Sequence, residues 1–172
     1  MTQTEFSRIY ALDTLGEPRQ VAIEATVEER TALAARFGLN ALDRLSAEAT
    51  LIRDGAIVSA TGRIKAQVAQ ACVASGADVP QTIDEPFTLR FLPESDTTDD
   101  EVEIAEDGLD DMPYSGAAID LGEAVAQTMA LALDPFPRAP DADAVLRAAG
   151  VLQEGEATAP SPLAGLADLF KK

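Results

Sequence analysis

Between Asp43 and Phe91 the chain alternates apolar and polar residues in three consecutive runs, and no other stretch limits the fold so sharply. In the first, Leu45, Ala47, Ala49 and Leu51 face one way. In the second, Val58, Ala60, Ile64, Ala66, Val68 and Cys72 share a face. In the third, Ile83, Phe87, Leu89 and Phe91 are set off by Glu85, Thr88 and Arg90. A period of two places one face of an extended chain in a core and the other in water. Asp54-Gly55 is a hairpin signal between the first two runs. Three strands with links this short predict an antiparallel meander.

Helical spacing brackets the meander. Thr26 opens a capping box with Glu29, the run Val27, Leu33, Ala34, Phe37 follows, and Gly38 supplies a left-handed stop. Asp120 and Glu123 have the same spacing ahead of Leu121, Ala124, Val125, Met129, Ala132 and Leu133, with Pro135 and Pro137 as breakers. A smaller helix is expected from Asp141 to Ala149, ended by Gly150. Near the start, EFSRIYALD and RQVAIEAT read as two strands around the turn TLGEP. The expected fold class is α+β: a mainly antiparallel sheet packed by two or three helices. One domain is expected over residues 1–152, with a flexible acidic insert at 94–111. Residues 153–172 then read as a linker plus a C-terminal helical docking peptide.

Charge and residue types narrow the function. The formal net charge is −17, and ten acidic side chains with no basic one fall within residues 94–111. Blocks of like charge are ordinarily solvated and disordered. Ten carboxylates within 18 residues also raise the association rate of a basic partner. Asp99, Asp100, Glu101 and Glu103 are the centre of that expected dock. The run lacks the spacing of a calcium loop. With no histidine and one cysteine, a zinc cage and a histidine-based nucleophile are excluded within one chain. No glycine-rich phosphate loop follows a strand. The expectation is a protein with no catalytic residue, no cofactor, no metal and no small-molecule substrate. The N-terminus lacks a signal peptide's regions and no run approaches membrane-spanning length, which predicts a soluble cytoplasmic protein.

The order of these pieces has a known counterpart. A long strand ends in a cysteine, a further strand ends in FTLRFLP, an acidic insert follows, then IDLGEAVAQTMALALDPFP, and SPLAGLADLFKK closes the chain. This resembles the YceD family, bacterial and plastid proteins implicated in accumulation of large-subunit ribosomal RNA. The resemblance implies a non-enzymatic factor in ribosome assembly, with a ribosomal protein or assembly factor as partner. Family members commonly carry C-x-x-C-G at the end of the long strand, some with further cysteines after the main helix. Here the first site reads Cys72-Val73-Ala74-Ser75-Gly76, and RAPDADAVLRAAG holds no cysteine.

Three further features have a bland and a sharper reading. Cys72 has no flanking Lys, Arg or His to activate it and is expected to pack as a small apolar residue beside Val68, rather than serve as a redox thiol. Arg63 and Lys65 share a strand face opposite Ile64; a solvent-facing sheet surface is favoured, and direct ribosomal RNA contact is the alternative. In the tail, Ser161 can cap, Pro162 suits the first helical position, and Leu163, Leu166, Leu169 and Phe170 form one stripe, with Lys171 at the negative end. So short a helix is marginal in water. The expectation is a partner-docking peptide, with packing on its own core as the alternative.

Overall fold

The three alternating runs become the centre of a five-stranded sheet in the computed structural model, which describes residues 4–94 and 110–151. The elements are β1 (Ile9–Ala11), a 3-10 turn (Leu12–Thr14), β2 (Arg19–Glu24), α1 (Val27–Phe37), β3 (Ala41–Asp54), β4 (Ile57–Ala71) and β5 (Asp78–Pro93). After the gap come β6 (Asp110–Tyr114), β7 (Ala118–Asp120), α2 (Leu121–Leu131) and α3 (Ala142–Ala148). The sheet order is β2-β3-β4-β5-β6, and β1 pairs with β7 in a separate two-stranded ribbon. The fold is therefore mixed α+β with a largely antiparallel sheet.

The register follows the hydrophobic pattern. Ala47 lies opposite Ile64, Ala66 opposite Ile83, and Ala60 between Leu51 and Leu89. These side chains are buried on one face, where Leu33 of α1 and Leu121, Ala124, Val125 and Met129 of α2 join the same core. A one-residue slip would turn every one of them to water. Gly55 takes φ 61° in the turn that closes Asp54 against Ile57, as the hairpin signal requires. Thr26 and Glu29 form the reciprocal capping box, and Gly38 ends α1 in the left-handed region.

Both N-terminal strands form, and they lie apart: β2 runs along β3, while β1 joins β7. Two features depart from expectation. The acidic insert does not extend flexibly to Asp111, because Asp110 and Asp111 belong to β6, which pairs in parallel with β5. The sequence DDMPY shows no alternation, and Pro113 is tolerated because β6 is an edge strand. Its anchor is Tyr114, buried, with its hydroxyl donating to the Ala56 carbonyl at 2.5 Å. Adjacent parallel strands need a crossover of a dozen or more residues, and 16 residues separate β5 from β6. Finally, Asp120 caps α2 through the Gly122 and Glu123 amides, but Glu123 does not complete a capping box. Its carboxylate instead takes a two-pronged bond from Arg36 of α1, at 2.9 and 2.7 Å.

Candidate interaction surfaces

The outer face of the sheet carries Arg63 and Lys65, as the alternation of β4 dictates. Arg63 ion-pairs with Asp84 on β5 and also donates to the Asp84 carbonyl at 3.0 Å. Glu48 lies directly across from Arg63, and Ser46 across from Lys65. Arg44 and Lys65 have no ion-pair partner among the described residues. Two adjoining shallow grooves, of about 500 and 250 Å³, cross this face. Both are lined by Ala22, Glu48 and Arg63, and the smaller also by Glu24, Arg44 and Lys65. Three cations alternating with two carboxylates give a mixed surface, and no aromatic platform for stacking bases lines either groove.

Where the acidic run rejoins the sheet it meets a counter-charge. Arg90 grips Asp111 with two bonds, at 2.7 and 2.9 Å, and that guanidinium holds the Asp111 carboxyl below its usual range. Asp99, Asp100, Glu101 and Glu103 lie outside the described residues, as do Pro162, Leu163, Leu166, Leu169, Phe170 and Lys171.

Cys72 lies just beyond the end of β4, in a turn where the Gly76 amide bonds back to the Cys72 carbonyl at 2.8 Å. Expected beside Val68, it packs instead with Ala139 and Ala142, apart from the main core. Its sulfur accepts the Ala139 amide at 3.3 Å. This bond, then the Ser75 hydroxyl, lower the thiol to about 7 against the opposing effect of burial. The lowering thus comes from backbone amides and a neighbouring hydroxyl rather than from the charged neighbours that stand out in a sequence. The turn Cys72–Ser75 faces the turn Ala139–Ala142, itself closed by the Ala142 amide on the Ala139 carbonyl at 3.0 Å. Two facing turns with this spacing are the frame on which four thiolates hold zinc. In this chain one of the four positions is a cysteine. Among the described residues no group of three His, Cys, Asp or Glu side chains converges on a point.

A cluster that sequence reading did not single out binds the N-terminal segment to both larger helices. Asp120 accepts the Ser7 hydroxyl at 2.6 Å and the Arg8 amide at 2.8 Å, besides its two capping bonds. Arg8 grips Glu29 at 2.7 and 2.9 Å, and Arg36 joins Glu5 to Glu123. These guanidinium bonds lower the carboxyls of Glu29 and Glu123. Gly122 admits this close approach, since a Cβ there would lie 2.7 Å from the Phe6 carbonyl oxygen. Phe6 is thereby fully buried. The cluster is a fastening, with every group engaged by another part of the chain.

Fold and surfaces together define a small α+β protein whose exposed chemistry suits recognition. No described helix is long and apolar enough to cross a membrane. The chain belongs to the family described as large ribosomal RNA subunit accumulation protein YceD, whose model matches residues 60–170. That membership ties it to large-subunit ribosomal RNA accumulation. No curated protein and no solved structure matches the chain.

Proposed function

We propose that this protein supports large-subunit ribosomal RNA accumulation in the cytoplasm by contacting a ribosomal protein or assembly factor. The supporting observation is the charge distribution: ten of the 30 acidic side chains fall in 18 residues, and no basic one lies among them. A basic partner is drawn to such a run. In this reading one α+β domain over residues 1–152 carries two outward-reaching segments. The flexible acidic insert, with Asp99, Asp100, Glu101 and Glu103, attracts the partner. The helical peptide from Pro162 to Lys171 docks by its Leu163, Leu166, Leu169 and Phe170 stripe. A second reading, direct RNA contact, draws on Lys65 and Arg44, which have no ion-pair partner among the described residues, beside Arg63. An excess of 17 negative charges weighs against it. Affinity capture from cells, with and without ribonuclease, separates the two. Retention of a ribosomal protein after ribonuclease supports the first reading; loss of every partner on ribonuclease treatment sinks it.

A further inference from the structure

The loop after α2 displays an aromatic side chain that the fold itself does not use. Phe136 is 73% exposed, and Leu131 at the end of α2 is 79% exposed. Single exposed apolar residues are common on proteins, so exposure alone decides nothing here. What sets this loop apart is how firmly it is held. Pro135 and Pro137 fix the backbone on either side of Phe136. Gln81 donates to the Ala132 carbonyl at 2.9 Å and accepts the Asp134 amide at 3.2 Å. Gln70 donates to the Asp134 carbonyl at 2.9 Å. The Phe136 amide donates to the Asp134 carboxylate at 2.9 Å, and the Pro137 carbonyl accepts the Val73 amide at 2.9 Å. By the alternation of β4 and β5, Gln70 and Gln81 continue the inward-facing rows of Val68 and Ile83. Two places in rows otherwise dominated by apolar side chains are thus given to bracing this loop.

An aromatic ring on a braced loop loses little freedom when a partner covers it, and such rings dominate binding energy at interfaces. Val73, 56% exposed, is brought beside the loop by its bond to Pro137. The rim is acidic on balance: Asp134 and Asp141 are exposed and have no cationic partner among the described residues, while the exposed Arg138 is paired with Asp143 at 3.4 Å. We propose that Phe136, with Val73 beside its loop and Leu131 at the end of the preceding helix, is the anchor on which a basic protein docks at this end of the fold. The proposal rests on the reading that the chain acts through protein contacts.

The test uses the full chain and individually purified proteins of the large ribosomal subunit, with affinities measured one by one. At least one basic protein should bind, and Phe136→Ser and Leu131→Ser should each weaken it roughly tenfold. Phe136→Lys should weaken it further by repelling a basic surface. Ile9→Ser and Ile52→Ser, exposed elsewhere, should leave it unchanged, and all variants should melt like the parent. If the Phe136 variants bind as tightly as the parent, the anchor is wrong while the protein-contact reading stands. If the parent binds none of these proteins, that reading falls and the anchor with it.

Discussion

A side chain at position 62 would have nowhere to go. A Cβ built on Gly62 stands 2.0 Å from the Glu48 carbonyl oxygen and 2.8 Å from the Ala49 Cα, because β3 and β4 close on each other there. Both contacts are backbone, so the sheet itself would have to yield. Gly62→Ala is expected to destabilise the fold by about 1–3 kcal/mol, read as a lowered urea midpoint; an unchanged midpoint would refute the close approach. Cys72 gives a second test at this scale. Its thiol is held at about 7, below the ordinary 9.0. A depressed folded value stabilises the fold above the unfolded value and loses that effect as pH falls through the folded one. The stability difference between the parent and Cys72→Ala should therefore grow in the parent's favour between pH 7 and 9, and stay constant below 7. Urea titrations at pH 6, 7.5 and 9 would show it, and a flat difference would rule out the amide cradle as the cause.

Elements built from local patterns were legible in the sequence, and elements that depend on distant neighbours were not. The meander, the α1 capping box and the α2 cap are written within a few residues of where they act. β6 has no periodicity of its own; it exists because Tyr114 finds Ala56, and because Arg90 finds Asp111. Glu123 sits at capping-box spacing, yet Arg36 outbids the helix end for its carboxylate. The bracing of Phe136 by Gln70 and Gln81 was equally invisible, since isolated glutamines in a strand carry no signal. The facing turns at Cys72–Ser75 and Ala139–Ala142 also come from distant segments, and they allow an element-scale prediction. Ser75→Cys, Ala139→Cys and Ala142→Cys, combined with the native Cys72, should bind about one zinc per chain. A chelator should then lower the melting temperature of the variant and leave the parent's unchanged. Elemental analysis finding no zinc in a folded variant would show that the two turns do not form a cage.

At the scale of the molecule, the family match begins at Ala60 inside β4, yet β4 is bonded along its length to β3. Phe6 is buried against α2 as well. A chain starting at residue 60 should therefore fail to give a cooperative melt, although it holds the whole of the matched region. The parallel pairing of β5 with β6 has a different consequence. The connecting residues must carry the chain back along the sheet before β6 can begin, whatever they are made of. Their number answers to topology, and their charge is free to answer to a partner. One gene can separate the two. Changing Asp99, Asp100, Glu101 and Glu103 to their amides should leave the melt intact while slowing association with a basic protein at low salt. Removing ten residues from the same stretch should pull β6 from the edge and free Tyr114, a loss of about 2 kcal/mol or more. A reporter peptide spliced into the stretch should be tolerated, since each doubling of such a loop costs only about 0.6 kcal/mol. The pairing of β5 with β6 thus sets a minimum length for the stretch between them and leaves its spelling open, so that it can be rewritten without the sheet being refolded.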